Sequence, residues 1–378
     1  MKKRRSGSKA VVPVIVALVI AAGLATATGR PFDILGVHVP LPHMSAAVPA
    51  PKTVTSSTPA PPASSATAPT SLPPTTTGEY ALVQEPQAGF GFIYGLFDSA
   101  KSSIDMTMYE LVDATAVQHL VAARGRGVAV RVLLDKAYHG QKANQAAFDA
   151  LTAARVSVRW AAPGVIFHQK TITIDSKLSV VGTANLTAKY YAGTRDAWVI
   201  DRNPAQVAAI EQTFTADLRS PSRPGTATQT QGLVWSPGAE DEFVNTINTA
   251  TKTVKFQSEE LKDTRVVTAL AAAADRGVTC DILMTRDAAW YPAYKTVTAA
   301  GCSVHLSPHS TRSLYIHEKT VLADSDNIII GSQNAGLFSL TRNRELSLHL
   351  TSTDAKTLIG AVESTYVGDF AAAGAWHE

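Results

Sequence analysis

The chain has 378 residues, 45% of them apolar, which is enough for one large hydrophobic core or two smaller ones. Charged residues make up 17% of the chain and the net charge is +3, of which the five basic residues between Lys2 and Lys9 supply more than the whole. The rest of the chain is near neutral, which excludes the broad basic surface of a dedicated nucleic-acid-binding protein but leaves a local basic groove open.

Residues 1–30 are predicted to be a signal peptide or a membrane anchor. The basic run Lys2 to Arg5 precedes an uncharged, mostly apolar stretch from Ala10 to Ala27, whose last three residues are small enough for signal cleavage. This stretch is at the short limit for a membrane span, so cleavage and retention both stay open. In either case the remaining chain is expected to be exported, and then secreted or anchored to the outer face of the cytoplasmic membrane.

Residues 31–78 are predicted to be a linker. From residue 45 to residue 78 the chain is almost entirely Pro, Thr, Ser and Ala, with Lys52 as its one charge. Such a segment buries too little apolar surface to fold and is expected to be an extended spacer. A spacer suits an anchored protein that works away from the membrane, and a disordered remnant in a secreted protein is the alternative.

From Glu79 onward the composition is globular and the sequence repeats at an offset of about 150 residues. The matched segments are His168-Gln169-Lys170 with His317-Glu318-Lys319, Gly182-Thr183-Ala184-Asn185 with Gly331-Ser332-Gln333-Asn334, and Arg126-Gly127-Val128 with Arg276-Gly277-Val278. The period is far longer than that of solenoid repeats. We therefore predict a duplicated domain, with one half at residues 79–220 and the other at residues 232–378.

Both halves predict the same order of elements. Asp113 and Asp263 are placed as helix N-caps, and Gly127 and Gly277 follow the ends of these helices. The predicted strands are 103–109, 128–134, 156–160, 167–174 and 178–182 in the first half, and 253–258, 278–284, 303–306, 315–323 and 327–331 in the second. Strands that alternate with helices predict an α/β fold with helices outside the sheets.

The two cysteines, Cys280 and Cys302, begin consecutive predicted strands of the second half. Adjacent parallel strands lie about 4.8 Å apart, which is within reach of a disulfide. In an exported chain we predict a Cys280–Cys302 bridge, with two buried free thiols as the alternative.

The repeated motif brings together groups suited to phosphodiester chemistry. Residues i and i+2 of a strand share a face, so His168 projects with Lys170, and His317 with Lys319. An imidazole can attack phosphorus while a second one protonates the leaving alcohol. Lysines, amides and hydroxyls would stabilise the phosphoryl group, so neither a metal nor another cofactor is expected. A carboxylate on the far nitrogen of each imidazole would fix its tautomer.

The complete pattern, His-x-Lys-x4-Asp followed by Gly-Ser/Thr-x-Asn, resembles the signature of the phospholipase D superfamily and occurs twice. The resemblance covers residues 79–378 and implies two α/β halves related by a pseudo-twofold axis, with one active site at their interface. It implies His168 as the nucleophile and His317 as the acid/base, an order that the residues alone leave open. The predicted catalytic residues are His168, Lys170, Asp175, His317, Lys319 and Asp324, of which the resemblance implies that Asp175 and Asp324 are mainly structural.

Other residues are assigned around this set. Thr183, Asn185, Ser332 and Asn334 are predicted to bind substrate, and Asp196 and Glu345 to orient the histidines. We group Asp196 with His168 and Glu345 with His317, each carboxylate with the histidine of its own half. The first half departs from the family pattern, because it reads Thr194-Arg195-Asp196 where the second half reads Asn343-Arg344-Glu345. Glu110 and Glu260 match across the repeat, and either rim the site or make structural hydrogen bonds.

The expected reaction is phosphodiester hydrolysis, or transfer to an alcohol, through a phosphohistidine in a monomeric enzyme. The first choice of substrate is phospholipid at a membrane surface, because the chain is near neutral and expected to be exported. A secreted, metal-independent nuclease with nucleic acid as its substrate is the alternative. A non-catalytic envelope-binding protein is a second alternative, against which the intact paired motifs argue.

Overall fold

The computed structural model describes residues 33–34, 37–38, 75–138, 140–220 and 222–377. Residues 1–66 and 67–378 form two separate units. The described part of the first unit is one antiparallel pair, β1 (Asp33–Ile34) and β2 (Val37–His38). The predicted signal or anchor lies outside the described residues, as does most of the predicted linker. Within the described residues, no helix is both long and apolar enough to cross a membrane.

The second unit contains two series of elements that follow the sequence repeat. The first series is β3 (Thr75–Thr77), β4 (Tyr80–Glu85), α1 (Gly91–Ser99), β5 (Ser103–Met108), α2 (Ala114–Gly125), β6 (Ala129–Leu134), α3 (Gly140–Ala153), β7 (Ser157–Trp160), β8 (Lys170–Ile174), β9 (Leu178–Gly182), α4 (Ala188–Tyr191), β10 (Thr194–Asp201) and α5 (Pro204–Arg219).

The second series repeats this order with small additions. It is β11 (Leu233–Ser236), α6 (Glu240–Thr249), β12 (Thr253–Gln257), α7 (Thr264–Asp275), β13 (Thr279–Thr285), a 3-10 helix (Ala288–Trp290), α8 (Tyr291–Ala299), β14 (Ser303–Ser307), β15 (Tyr315–Ile316), β16 (Thr320–Ala323), β17 (Asn327–Gly331), α9 (Leu337–Thr341), β18 (Glu345–Thr351), α10 (Ser352–Ala372) and β19 (Gly374–Ala375).

Each series forms one mixed sheet, and the two sheets have the same topology. The strand order is β4-β10-β9-β8-β5-β6-β7 in the first half and β11-β18-β17-β16-β12-β13-β14 in the second. In both, the first four pairings are antiparallel and the last two are parallel. This arrangement confirms the predicted duplicated α/β fold.

The predicted caps explain where the helices beside the parallel strands begin and end. The Asp113 side chain accepts the amide hydrogen of Thr115, and Asp263 accepts those of Arg265 and Val266, so each satisfies the free donors of a first helical turn. Gly127 and Gly277 follow these helices with φ of +92° and +84°, the left-handed region that glycine adopts at least cost.

Three large hydrophobic clusters and two smaller ones are found among the described residues of the unit. One lies within each half, where residues such as Met106 and Leu120, or Phe256 and Leu270, pack between a sheet and its outer helices. The third lies between the two sheets and is built from both halves, with members that include Val199, Ile210, Ile330, Leu348 and Ile359. The halves therefore share a continuous apolar interface, which stabilises them as one body.

Backbone pairing also crosses between the halves, immediately before each motif histidine. In one direction, β15 of the second half pairs in parallel with the start of β10 in the first half. In the other, Phe167 of the first half forms a parallel bridge with Arg344, which directly precedes β18. Two ion pairs cross in the same way, the partly buried Arg195–Asp369 at 2.5 Å and the buried Arg344–Asp217 at 3.0 Å.

Two boundaries differ from the sequence prediction. The histidines lie before their strands, because the amides of Gln169, His317 and Glu318 donate to carbonyls of the opposite half rather than to their own sheet. β3 lies inside the range predicted as linker and pairs antiparallel with β4. The composition of this segment does not predict a strand, because an edge strand needs backbone partners but no apolar face.

Cys280 lies in β13 and Cys302 directly precedes β14, and the two are joined by a disulfide with Cα atoms 4.6 Å apart. β13 and β14 are neighbouring parallel strands, as predicted. The bridge is buried in the core of the second half, packed among apolar side chains.

Candidate active site

His168 is held by a carboxylate of the opposite half. Its Nδ1 lies 2.7 Å from Oε2 of Glu345, the first residue of β18. Glu345 is fully buried and its other oxygen accepts hydrogen bonds from Ser339 at 2.6 Å and Asn343 at 3.0 Å. These two donors fix the carboxylate, so the carboxylate in turn fixes the orientation and tautomer of the imidazole.

His317 is held in the same crossed sense. Its Nδ1 lies 2.8 Å from Oδ1 of Asp196, which belongs to β10 of the first half. Asp196 accepts a second hydrogen bond from the hydroxyl of Thr183 at 2.6 Å. In the first half Thr194 stands where the second half has Asn343, and its hydroxyl donates to the Tyr190 carbonyl instead.

The predicted grouping of each histidine with the carboxylate of its own half is therefore wrong. The parallel pairing of β15 with β10 carries His317 past its own sheet and places it beside Asp196. The Phe167–Arg344 bridge does the same for His168 and Glu345. The candidate site is thus one interlocked arrangement, in which each half supplies the carboxylate for the histidine of the other.

Lys170 and Lys319 lie with their histidines, as predicted. Both side chains are buried, and each ammonium donates to the carbonyl oxygen of the histidine two residues earlier. Burial lowers the pKa of Lys170 to about 7 and also lowers the pKa of Lys319. Buried ammonium groups of this kind need negative charge nearby, and Glu345, Glu259 and Asp196 supply it here.

The pKa values of the two histidines are shifted in opposite directions because their surroundings differ. Oε2 of Glu259 lies 3.3 Å from Nε2 of His317, so this imidazole has a carboxylate on each nitrogen. Only the imidazolium form can donate from both nitrogens at once. Burial alone would lower the pKa of His317, but Asp196 and Glu259 outweigh it and the pKa is raised.

The pKa of His168 is shifted in the opposite direction. Burial and the neighbouring Lys170 ammonium lower its pKa, and Glu345 opposes them only in part. The ring of Tyr109 packs edge-on against it, with ring centroids 4.7 Å apart. The pKa of His168 is thus lowered while that of His317 is raised, and two titratable groups whose pKa values are pushed apart in this way are suited to different acid–base roles.

Glu259 was missed by the sequence prediction, which singled out the next residue. Glu260 pairs with Lys262 at 2.8 Å, and Glu110, its match in the first half, lies beside Tyr109 and Asp135. Glu259 instead reaches His317, and its Oε2 also lies 3.7 Å from Nζ of Lys319. The available clue was a break in the repeat, since Tyr109 occupies the position that corresponds to Glu259.

The predicted substrate-binding residues separate into two groups. Thr183 and Ser332 are fully buried, and their hydroxyls accept backbone hydrogen bonds from Ala197 and Leu346. They support the strands that carry the carboxylates and cannot touch substrate, so this part of the prediction is wrong. Asn334 does face the site, with its Nδ2 3.4 Å from Oε2 of Glu259. Asn185 stands at the corresponding place in the other half and is partly exposed.

Asp175 and Asp324 end their motifs at hairpin turns and take no direct part in the site. The Asp175 carboxylate accepts hydrogen bonds from the amides of Lys101, Ser102 and Ser103. Asp324 accepts the corresponding bonds from Thr251, Lys252 and Thr253. They were placed in the catalytic set as motif members, and their contacts are those of turn residues, as the resemblance implied. No group of three or more His, Cys, Asp or Glu side chains in the described residues is arranged to hold a metal ion.

Comparison with known proteins agrees with this geometry. Residues 93–218 and 243–364 each match the family described as "Cardiolipin synthase, PLD-like domain". A protein named phospholipase D from Rickettsia conorii is 37% identical over 97 residues, which cover 26% of this chain and 48% of that protein. Cardiolipin synthase A from Pseudomonas aeruginosa is 26% identical over 234 residues, which cover 54% of this chain and 46% of that protein.

The chain therefore spans about half the length of these curated relatives. The crystal structure of phosphatidylserine synthase from Haemophilus influenzae superposes with a TM-score of 0.58 at 12% identity. The superposition covers 79% of this chain and 87% of that one, and it shows the shared fold alone. Because the family match falls on both halves and includes both interlocked motifs, the chain belongs to the phospholipase D superfamily.

Proposed function

We propose that the protein is a phosphodiesterase that works through a covalent phosphohistidine on His168. The observation that carries the proposal is the inequality of the two imidazoles. His317 has a carboxylate on both nitrogens, whereas the described contacts of His168 place a carboxylate on Nδ1 and a tyrosine ring against its face. A neutral imidazole with its tautomer fixed through Nδ1 presents the Nε2 lone pair that a nucleophile needs.

In the first step, Nε2 of His168 bonds to phosphorus and the bond from phosphorus to the leaving alcohol breaks. The imidazolium of His317 gives its proton to the departing oxygen. In the second step, neutral His317 takes a proton from water, whose oxygen attacks phosphorus and releases His168. An alcohol in place of water gives transfer instead of hydrolysis. Lys170 and Lys319 stabilise the charge that develops on the phosphoryl oxygens.

The proposed substrate is a phospholipid. Four of the large apolar side chains that the described residues expose lie close after site residues in the chain, namely Val112 after Tyr109, Tyr190 after Asn185, and Leu337 and Phe338 after Asn334. Tyr190 and Phe338 each have a cation over the ring, from Lys189 and Arg342. Apolar and aromatic side chains mixed with cations suit the interface of a membrane, where rings and head groups meet.

The proposal also places the protein outside the cytoplasm, secreted or anchored to the outer face of the membrane. The basic and apolar pattern of residues 1–30 and the buried Cys280–Cys302 disulfide support this location. Both histidines come from one chain, so a monomer suffices for activity.

The substrate class is tested by incubating the purified protein, with chelator present, with phosphatidylcholine plus a primary alcohol and separately with DNA and RNA. A phosphatidyl-alcohol or phosphatidic acid product supports the proposal. Cleaved nucleic acid with intact lipid would favour the nuclease instead. If no phosphodiester turns over, the protein is a binding protein, and a strict metal requirement would contradict the proposed chemistry.

The covalent step is tested with the variant His317→Ala and bis(p-nitrophenyl) phosphate, whose leaving group needs no acid. His168 should still be phosphorylated, but the adduct should accumulate because no base activates water. Mass spectrometry of the quenched protein should place the adduct on His168. His168→Ala should release no burst of p-nitrophenol, and an adduct on His317 in wild-type protein would reverse the roles.

A further inference from the structure

The repeat is broken at one position inside the site. Glu259 follows β12 as Tyr109 follows β5, and the residues after them, Glu260 and Glu110, match again. The site therefore has a carboxylate beside the acid, His317, and a phenol ring beside the nucleophile, His168. A bound phosphoryl group would therefore have a carboxylate near its His317 side and a phenol ring near its His168 side.

The Glu259 carboxylate is fixed and accessible. Its Oε1 accepts a hydrogen bond from the hydroxyl of Tyr315 at 2.9 Å, and its Oε2 faces His317, Lys319 and Asn334. The side chain is 30% exposed, whereas both histidine side chains are about 11–12% exposed. A group that enters the site on the His317 side therefore meets this carboxylate.

The position of Glu259 decides which part of the substrate it meets. Nε2 of His317 is the atom that delivers the proton to the leaving oxygen, and Oε2 of Glu259 lies 3.3 Å from it. The first atoms of the leaving alcohol must therefore pass within hydrogen-bond or ion-pair distance of Glu259.

The charges of the site point to the kind of leaving group. Lys319, His317 and Lys170, the last with a pKa that burial lowers to about 7, face three carboxylates, Asp196, Glu345 and Glu259, and a phosphodiester adds one negative charge. Buried charge is costly unless it is paired. A leaving group with an ammonium would restore the balance, and the ring of Tyr315, which holds Glu259, offers the aromatic face that such cations prefer.

Building on the proposed phosphodiesterase function, we propose that Glu259 is a specificity residue that selects head groups carrying an ammonium as the leaving alcohol. Phosphatidylethanolamine and phosphatidylcholine would then be preferred over phosphatidylglycerol. A nucleic acid, whose leaving strand carries further phosphates, would be repelled on the same side.

The test compares kcat/KM for phosphatidylethanolamine and phosphatidylglycerol of identical acyl chains in mixed micelles at one pH. The ratio is the readout, because any change in the acidity of His317 affects both lipids alike. The wild type should favour the ethanolamine lipid, and Glu259→Gln should lower the ratio at least about tenfold, which corresponds to about 1.4 kcal/mol. Glu259→Ala should lower it as well, so that the result does not depend on one variant folding.

Glu260→Gln is the matched control, since it removes the same charge one residue away, from a side chain paired with Lys262. It should keep the wild-type ratio. The inference is overturned if the wild type turns over both lipids without preference, if Glu259→Gln keeps the ratio, or if Glu260→Gln lowers it equally. Those results would leave the proposed function standing, whereas absence of turnover with every phosphodiester would remove both.

Discussion

Each histidine is oriented by a carboxylate of the opposite half, and this crossed arrangement predicts which limb of the pH profile of kcat/KM each carboxylate controls. Asp196→Asn removes the charge beside His317, and Glu345→Gln removes the charge beside His168. His317 must be protonated to act as the acid, so its raised pKa sets the alkaline limb of kcat/KM. His168 must be neutral, so its lowered pKa sets the acid limb.

The size of the shift follows from the geometry. The imidazolium of His317 and the carboxylate of Asp196 share a 2.8 Å hydrogen bond, and both side chains are nearly buried. Charge centres about 4 Å apart attract each other by roughly 4 kcal/mol at an effective dielectric constant of about 20. Glu259 remains in place on the other nitrogen, so Asp196→Asn should remove only part of the favourable charge interaction. We therefore expect the pKa of His317 to fall by about one to two units, at about 1.4 kcal/mol each.

The measurement is kcat/KM against pH for the wild type and the two variants. Asp196→Asn should move the alkaline limb to lower pH and leave the acid limb in place. Glu345→Gln should move the acid limb to lower pH and lower kcat, because the His168 tautomer is no longer fixed. Asp175→Asn, the same substitution in a hairpin turn, should move neither limb. If Asp196→Asn moves the acid limb instead, the crossed arrangement is refuted.

Two further predictions concern stability. Removing the Asp175 or Asp324 side chain should lower the free energy of unfolding by about 1–3 kcal/mol, since three backbone amides lose their acceptor. These amides outweigh burial and hold the pKa of Asp175 at about 2, below the ordinary 3.8, so urea unfolding should show the contribution intact above about pH 4. It should be lost as the pH falls toward 2, and Asp175→Ala should lack this acid-dependent part. Cys280→Ser with Cys302→Ser should cost about 3 kcal/mol for a separation of 22 residues, and reductant should destabilise the wild type but leave the variant unchanged.

The elements and the pairing of motifs were predictable because their causes are local. An aspartate at an N-cap and a glycine after a helix act within one turn, and Asp113 and Gly127 do what their positions predict. Two copies of one motif at one offset imply two equivalent places in the fold, so each prediction for one half also applied to the other. Even the disulfide followed from two strands being neighbours.

The crossed contacts were not predictable because their cause is not local. Alternation of apolar and polar side chains predicts which residues share a face of a strand. It does not distinguish the strand from the extended segment that precedes it. Gln169 and Glu318 fit a strand pattern, yet their amides donate to Arg344 and Arg195 of the opposite half. The hydroxyls of Thr183 and Ser332 were misassigned for the same reason, since only the packed structure shows that they face the strands behind the site.

The strand frameworks of the halves match, so the difference between the histidines must come from side chains, and the exchange of Tyr109 for Glu259 is one such difference. Exchanging the two residues, as Tyr109→Glu with Glu259→Tyr, should therefore transfer the raised pKa from His317 to His168. The Tyr109 ring already lies against His168, with ring centroids 4.7 Å apart, so a carboxylate at this position would lie close to the imidazole. Nitrogen-detected NMR of the imidazoles gives both pKa values, with each single substitution as a control. The pKa of His317 should fall by about one unit, which is about 1.4 kcal/mol. If it stays raised after the exchange, Asp196 alone sets the charge of the acid, and the break in the repeat is not its source.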